Sequence, residues 1–359
     1  MKALVIGGTG PTGPFIVEGL LKRGYEVAIL HRGTHEADLP AEVEHIHCDP
    51  HFAETLERGL GSRQFDLMVA MYGRIRYVAE VVRGHTPRLI AIGGMPYRAQ
   101  IEGFKRPQGC PVPLPENAPL LTDESMSKFT YLMTLTEQEV MAKHQAGHYA
   151  ATIFRYPRIY GPRQLAPWEW SIMRRILDGR RQVIIPDNGL KLSSRGYAEN
   201  MAHAVLLAVD NPQASAGQTY NVRDESVLSL REWVCLIAQI MGSELELVSL
   251  PFEVARPSRP YAGRAHHEVL DIAKVRAELG YRDVVPVEEA MRRNVMWYLE
   301  NRPAPGGEVE KLLGDPFNYA VEDEVIKAFR DFVAVARERA SVAYHPRHPY
   351  PHPKRPDEG

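Results

Sequence analysis

The stretch that decides the fold is residues 2–33, KALVIGGTGPTGPFIVEGLLKRGYEVAILHRG. It begins with a short apolar run that ends at a pair of glycines, after which apolar residues recur at helical spacing as far as Gly24. A second apolar run starts directly after that glycine. The pattern predicts a strand, a glycine turn, a helix and a second strand, which together form a βαβ unit.

The turn carries three glycines, Gly7, Gly10 and Gly13, in the spacing G-x-x-G-x-x-G. A glycine permits the tight turn, a second lets the backbone approach a pyrophosphate, and a third lets the helix pack closely on the strand. The start of the helix adds N–H groups and the positive end of a dipole. A purely structural glycine turn is the alternative. We predict dinucleotide binding, with contacts from Gly7, Thr9, Gly10, Pro11, Thr12 and Gly13.

The first half of the chain continues to alternate strands with helical patterns. The predicted strands are residues 3–6, 27–30, 44–47, 66–70, 88–92 and 151–155. This alternation predicts an α/β protein with a Rossmann-type, doubly wound parallel sheet and a smaller α/β substrate lobe. The predicted domains are a dinucleotide-binding domain (1–165 plus 196–222), a substrate lobe (166–195 and 223–300) and a C-terminal helical extension with a Pro/His-rich tail (301–359).

The end of the second strand bears on which dinucleotide binds. NAD-binding proteins usually carry an acid there for the ribose hydroxyls, whereas this chain has His31-Arg32-Gly33. A guanidinium can bind the extra 2′-phosphate of NADP, so NADP is predicted over NAD, with a solvated Arg32 as the alternative. Asp49 follows the third strand and is predicted to reach the adenine end, unless it caps a helix that begins near His51.

Composition excludes several classes of protein. The chain has 359 residues, 44% hydrophobic and 25% charged, with a net charge of −2, which is typical of a globular protein with two lobes. The absence of a basic excess makes nucleic acid an unlikely partner. No apolar run is long enough to span a membrane, and three widely spaced cysteines fit neither a disulfide framework nor a zinc site, so a cytoplasmic location is expected.

Three segments outside the alternating pattern are informative. The proline-rich stretch 93–125 is predicted to be a substrate-side loop, with a mobile insertion as the alternative. Ser229 and Glu232 form a capping box that predicts a helix ending at Gly242, and a second helix is predicted over 321–343. The tail has the spacing H-x2-H-x3-H, but its prolines prevent a helical cluster, so no metal site is predicted at His345, His348 and His352.

These motifs together give a resemblance to a known family. The chain resembles extended short-chain dehydrogenases/reductases of the NAD-dependent epimerase/dehydratase superfamily, and within it the atypical branch that includes chloroplast stem-loop-binding-like proteins. The resemblance covers about the first 300 residues and is carried by GGTGPTG (7–13), RYPRIYGPRQ (155–164), RGYAENMAHAVLLAV (195–209), YNVRDES (220–226) and LGYRDVVPVEEAMRRNVMWY (279–298).

The resemblance implies a catalytic Tyr-x-x-x-Lys on the helix after the fifth strand and a hydroxyl residue at the end of that strand. Tyr131 is the best match, with Glu139 eight residues later as in relatives, but Leu135 stands at the lysine position and the strand ends in Ile92-Gly93-Gly94. A phenol without a nearby cation ionises poorly at neutral pH but can still donate a proton, which favours reduction. Lys128, three residues before Tyr131, is a candidate replacement for the lysine, or an exposed residue of the first helical turn.

The resemblance also implies further contacts and an assembly. Tyr156, Pro157 and Ile159 would line the nicotinamide end, with a buried strand exit as the alternative. Arg163, Arg174 and Arg195 would face a small, anionic substrate, with solvated arginines as the alternative. A homodimer through paired helices, including 126–146, is expected. The leading hypothesis is an NAD(P)-dependent oxidoreductase with Tyr131 as proton donor. The alternatives are a sugar-nucleotide-type epimerase or dehydratase, or a Rossmann protein without catalysis that acts as a cofactor sensor or an RNA-associated protein.

Overall fold

The computed structural model describes residues 1–34, 37–71, 73–102, 112–255 and 265–341. The chain divides into two compact units, Met1–Phe317 and Asn318–Gly359. The first unit contains the parallel sheet and the cavities that border it. In the second unit the described part is a helix, Tyr319–Arg339, whose first turn is capped by the Asn318 side chain accepting from the amide of Val321. The helix predicted over 321–343 is therefore present, and the histidines of the tail lie outside the described residues.

Strands in the described residues follow the predicted alternation. They are β1 Lys2–Ile6, β2 Glu26–His31, β3 Glu44–His47, β4 Leu67–Ala70, β5 Arg88–Gly93, β6 Ala150–Arg155, β7 Arg158–Tyr160, β8 Gln182–Pro186, β9 Arg195–Tyr197, β10 Gln218–Asn221 and β11 Glu246–Leu250. Seven of these strands form one parallel sheet in the order β10-β6-β5-β4-β1-β2-β3. The predicted Rossmann-type fold is confirmed, and each of the six predicted strands lies within one residue of an observed one.

Helices cover both faces of this sheet. The helices of the described part of the chain are α1 Gly13–Lys22, α2 Ala53–Leu60, α3 Ile75–Val81, α4 Arg98–Glu102, α5 Lys128–Gln145, α6 Trp168–Leu177, α7 Ala198–Asp210, α8 Pro212–Ser215, α9 Leu230–Ile240, α10 Ala273–Leu279, α11 Val287–Glu300 and α12 Glu308–Leu313 in the first unit, and α13 Tyr319–Arg339 in the second. Side chains of β1 alternate between two cores: Ala3 and Val5 pack with α1 and α7, whereas Leu4 and Ile6 pack with α2 and α3. The period of two along a strand places each residue on its face.

A second apolar core lies beyond the sheet. It joins β7, β8 and β9 to α6, α9, α11 and α12 around buried side chains such as Trp170, Trp233 and Met291. The predicted capping box at the start of α9 is confirmed, with Ser229 and Glu232 each bonding the backbone of the other. The bounds proposed for the two lobes stay a prediction.

The chain after α11 is fastened to this core. The Arg175 guanidinium and the Asp315 carboxylate form a salt bridge in which both side chains are fully buried. Trp170 Nε1 also donates to Glu310 Oε1 at 2.9 Å. Since a buried charge needs its partner, these contacts fix the segment of α12 against α6.

The long proline-rich loop is anchored at both ends. Tyr97, Leu114 and Leu270 share a small buried cluster, and Tyr97 forms an isolated bridge with Leu120. The Tyr97 hydroxyl donates to Asn221 Oδ1 at 2.6 Å. The described parts of the loop are thus tied to the end of β10, which places Met95 and Gln100 beside a cavity.

Candidate functional site

The glycine turn between β1 and α1 has the geometry expected of a pyrophosphate-binding turn. Gly7 has φ of 95°, which only glycine adopts easily. A Cβ atom on Gly13 would overlap the carbonyl group of Gly8, so this glycine is required by close packing. A Cβ on Gly10 would meet nothing nearer than the Gly7 oxygen at 3.9 Å. The protein's own packing therefore does not demand a glycine at position 10, whereas a ligand that approaches the backbone would.

This turn borders a cleft of about 470 Å³ at the carboxyl ends of the strands. The cleft lies where the strand order reverses between β1 and β4, the position at which open α/β sheets bind ligands. It is lined by Gly7, Thr9, Gly10, Pro11, Thr12, His31, Arg32, Gly33, Thr34, Met71, Ile92, Tyr156, Ile159, Arg163, Gln164 and Leu165. Eight of the predicted cofactor residues line it, and Gly13 lies behind the turn. The open space at Gly10 and the start of α1 fit a dinucleotide diphosphate.

The end of β2 forms one wall of the cleft. His31 and Arg32 line it, whereas Asp49 is not among its lining residues. Asp49 Oδ1 instead accepts from the amide of His51 at 3.0 Å and lies 2.7 Å from His51 Nδ1. Desolvation acts to raise the pKa of Asp49, but the bonds from His51 and the charge of Arg32 outweigh it and lower that pKa. Helix α2 begins at Ala53, so Asp49 does not cap it either.

A second cavity of about 660 Å³ adjoins the cleft, and Tyr156 lines both. Its remaining wall residues are Gly94, Met95, Gln100, Phe129, Thr130, Met133, Pro157, Arg158, Trp168, Lys191, Ser193, Ser194, Arg195 and Glu268. The predicted contacts Pro157 and Arg195 thus lie at this second cavity. Tyr156 itself is buried and donates its hydroxyl proton to the Met201 carbonyl at 3.0 Å.

The second cavity has a cationic wall. The guanidinium carbon of Arg158 lies 3.0 Å from the centroid of a Trp168 ring, and that of Arg195 lies 4.1 Å from a Trp233 ring. Lys191 Nζ contacts Glu268 Oε2 at 2.7 Å. Stacking on an aromatic face holds an arginine in place while it remains charged. Three cations and one carboxylate leave this wall with a net positive charge.

A buried glutamate lies behind the two arginines. Trp233 Nε1 donates to Glu169 Oε1 at 3.2 Å, and Glu169 is 2% exposed. Burial raises the pKa of Glu169, and the charges of Arg195 and Arg158 only partly offset this shift. The Glu169 carboxyl thus lies within electrostatic reach of both arginines.

Helix α5 presents a different face to the second cavity from the one that the sequence suggested. Phe129, Thr130 and Met133 line the second cavity, and Tyr131 is not among the lining residues of either cavity. Residues two apart on a helix point in roughly opposite directions, so Tyr131 and Phe129 cannot share a face. Tyr131 as proton donor stays a prediction, and this geometry does not favour it.

The ion pairs of α5 explain the difference. Glu137, not Glu139, is the glutamate that faces the sheet: it forms a buried, bidentate pair with Arg155 at 2.8 and 2.7 Å. Glu139 pairs with Lys143 on the surface. Counting eight residues back from Glu137 gives Phe129, and four further on from Phe129 is Met133. Phe129 and Met133 thus have the same spacing to Glu137 that Tyr131 and Leu135 have to Glu139.

The other predicted residues are dispersed. Lys128 pairs with Glu124 at 3.3 Å with its side chain 74% exposed, which supports the interpretation as a surface lysine. Arg163 lines the dinucleotide cleft rather than the second cavity. Arg174 bonds Asp178 and Glu310 and borders a separate cavity formed with residues 305–317. Of the three arginines predicted to face a substrate, only Arg195 lines the second cavity.

Several wall residues were missed by sequence reasoning. The polar residues just before Arg195 are Lys191, Ser193 and Ser194. Because this polar run ends at a predicted substrate residue, the sequence could have indicated that it lines the site. Glu268 had no such signal because it is 77 positions away in sequence from its partner Lys191. Arg158 and Trp168 flank a segment already assigned to the site, and their stacking is visible only in three dimensions.

Comparison with known proteins agrees with this geometry. Residues 108–222 match the NAD dependent epimerase/dehydratase family. The chloroplast stem-loop binding protein of 41 kDa b from Arabidopsis thaliana is 21% identical over 81% of this chain and 77% of its own length. The expected resemblance to the superfamily, including this branch, is confirmed.

Solved structures share the fold. The UDP-glucose 4-epimerase of Thermotoga maritima, crystallised with UDP-glucose, has a TM-score of 0.69 at 19% identity, covering 84% of this chain and 100% of that one. The UDP-glucose 4-epimerase of Thermus thermophilus in complex with NAD has a TM-score of 0.65 at 22% identity, covering 83% and 99%. Other curated relatives are matched over about half of their own length. The structural likeness shows a shared fold, and residues 108–222 are similar to an NAD-dependent enzyme family.

None of the helices in the described part of the chain has the length and apolar character needed to cross a bilayer. The homodimer and the cytoplasmic location stay predictions.

Proposed function

We propose that this chain belongs to the NAD-dependent epimerase/dehydratase superfamily and is an NAD(P)-dependent oxidoreductase that reduces a carbonyl group of a small anionic molecule. The observation that carries the proposal is the junction at Tyr156, where the dinucleotide cleft opens beside a cavity with a cationic wall. An anionic substrate held by Arg158 and Arg195 would lie next to the cleft. NADP is proposed as the preferred dinucleotide because Arg32 lines the cleft at the end of β2.

The chemistry needs a stabiliser of negative charge and a proton donor. When bound, the nicotinamide supplies a hydride, and hydride addition to a carbonyl carbon leaves an alkoxide oxygen. The cationic wall would stabilise that charge. Arginine does not release its proton in proteins, whereas a lysine ammonium can. Lys191 is therefore proposed as the proton donor, with solvent restoring its proton afterwards.

The test compares Lys191→Met with Lys191→Arg, using small anionic carbonyl compounds and dinucleotide oxidation followed by absorbance. Loss of the proton donor should lower kcat about 100-fold or more in both variants, while Lys191→Arg should retain the KM because the positive charge remains. Tyr131→Phe is the matched control and should leave kcat nearly unchanged. A large loss in Tyr131→Phe with full activity in Lys191→Met would overturn the assignment of Lys191.

One observation favours a second candidate, a dinucleotide-responsive binding protein without catalysis. The cavity face of α5 carries Phe129, Thr130 and Met133, none of which is an acid or base that titrates near neutral pH. In that case the dinucleotide would quench protein fluorescence at micromolar concentration, and no carbonyl compound in the panel would be turned over. Turnover with any one of them excludes this candidate.

A further inference from the structure

Three histidines on two neighbouring strands lie close enough to share one ion. His31 is the last residue of β2, and His45 and His47 belong to β3. One nitrogen of each ring lies within 4.8 Å of the others. The ring centroids of His31 and His47 are 4.7 Å apart, and those of His45 and His47 are 6.2 Å apart. We propose that this histidine cluster, His31, His45 and His47, is a binding site for a divalent transition-metal ion, and specifically for Zn²⁺.

The fold itself assembles the cluster. β2 and β3 pair in parallel with His31 opposite His47, and His45 lies two residues earlier on β3. Because side chains alternate along a strand, residues two apart on β3 and the residue paired with one of them point to the same face of the sheet. A site formed in this way stands on two hydrogen-bonded strands, which hold ligands more rigidly than a loop would.

The distances suit imidazole ligation. His31 Nε2 and His45 Nδ1 are 3.0 Å apart. Two nitrogens bound to one Zn²⁺ at 2.0–2.1 Å in a tetrahedral site lie about 3.3 Å apart. His31 and His45 therefore need to separate only slightly, and His47 must approach them by a small change of rotamer. Imidazole is a favoured ligand of zinc, copper and nickel, and three imidazoles leave a further position for water.

Burial and access also favour a site. His31 is 3% exposed and forms its floor, whereas His45 and His47 are exposed at the edge strand, so an ion can enter from solvent. The amide of Gly33 donates to His31 Nδ1 at 3.2 Å. Ligation through Nε2 requires the proton of a neutral His31 to move to Nδ1, and this long bond would then be given up. The cost of that exchange is small relative to the free energy of three metal–nitrogen bonds.

The histidine cluster is separate from the residues that carry the proposed oxidoreductase chemistry. It lies behind the end of β2, and of its three members only His31 lines the dinucleotide cleft. The proposal therefore stands or falls independently of whether the chain turns over a substrate. It also differs from the histidine tail, in which no metal site was predicted.

The experiment is calorimetric titration of Zn²⁺ into the chelator-treated full-length protein. His345, His348 and His352 are replaced by glutamine in a background variant, so that the tail contributes no binding. One zinc ion per chain is expected in this background. His45→Gln and His47→Gln in the same background should each weaken binding at least tenfold. The exposed His148→Gln, on a loop away from the sheet edge, is the matched control and should leave the affinity unchanged.

Two outcomes would overturn the proposal. One is a background variant that binds no zinc, and the other is an affinity that neither His45→Gln nor His47→Gln alters. Since both side chains are exposed, these variants should fold, and circular dichroism will verify it. If either is unfolded, the corresponding asparagine variant takes its place. Visible absorption of the Co²⁺-loaded background protein provides a second readout, and its tetrahedral bands should be lost in both glutamine variants.

Discussion

Gly10 and Gly13 are both glycines of the same turn, yet different neighbours require them. Gly13 faces the backbone of Gly8, and the protein cannot fold around a larger residue there without moving that backbone. Gly10 faces the cleft, where the chain itself leaves room for a methyl group. One glycine therefore serves folding and the other is explained only by a ligand, a distinction that the spacing G-x-x-G-x-x-G does not contain.

Gly10→Ala and Gly13→Ala should separate these two roles. We expect Gly10→Ala to change the free energy of unfolding by less than about 1 kcal/mol but to weaken NADP(H) binding at least tenfold. Gly13→Ala should lower the free energy of unfolding by about 3 kcal/mol or more because its Cβ overlaps Gly8. Urea unfolding and calorimetric dinucleotide titration measure both effects. If Gly10→Ala binds the dinucleotide as well as wild type does, the space beside Gly10 is not needed for dinucleotide binding.

Sequence patterns determined some elements better than others. The strands of the first half were predicted to within one residue because each is an apolar, β-branched run bounded by turn residues. The orientation of α5 could not be predicted in the same way. Its buried face includes Thr130, Thr134 and Glu137, while the apolar Phe129 is 76% exposed at a cavity. A helix that contacts both a sheet and a cavity does not divide into an apolar and a polar side, so its sequence does not reveal which of its residues face the cavity.

The histidine cluster shows the same limit between two strands. His45 and His47 alternate visibly within one predicted strand, but His31 joins them only through the register of β2 on β3. A sequence pattern predicts a strand more readily than the register between two strands, because the register depends on the whole sheet. Short spacing within one segment therefore marks the tail histidines as candidate ligands, whereas the cluster of His31, His45 and His47 has no such mark in the sequence.

The orientation of α5 depends on one buried ion pair, and two glutamates of this helix provide a matched test. Glu137→Gln should lower the free energy of unfolding by about 3 kcal/mol, because it leaves the buried Arg155 without its counter-charge. Glu139→Gln removes a surface partner of Lys143 and should change the free energy of unfolding by less than about 0.5 kcal/mol. Urea denaturation of both variants measures the difference. Equal effects would mean that the pair with Arg155 does not fix the helix.

The two cores of the molecule meet around a buried acid. Asp224 follows β10 and is 1% exposed. It accepts hydrogen bonds from the Tyr160 hydroxyl at 2.8 Å, the Tyr197 amide at 2.9 Å and Asn200 Nδ2 at 3.0 Å. Asn200 in turn accepts from the amide of Val285, so elements of the sheet and of the second core are linked through one carboxyl group. Burial, and then the nearby charge of Asp283, raise the pKa of Asp224 to about 7.

This raised pKa makes the stability of the molecule depend on pH in a defined direction. In the unfolded chain an aspartate releases its proton near pH 4, whereas folded Asp224 retains it until about pH 7. Between these values the folded state binds more protons, so its stability falls as pH rises and the loss is complete above pH 7.

Asp224→Asn mimics the protonated acid, since its Nδ2 can donate to the Tyr160 hydroxyl oxygen. The compared quantity is the free energy of unfolding of Asp224→Asn minus that of wild type. We expect this difference to be about 2–4 kcal/mol larger at pH 8 than at pH 4.5, because only wild type loses stability as the pH rises. Urea unfolding at the two pH values measures it, with Asp331→Asn, an exposed aspartate, as the control that should follow wild type. If Asp224→Asn follows wild type as well, Asp224 is ionised in the folded protein throughout this range and the carboxyl network is held together by charge.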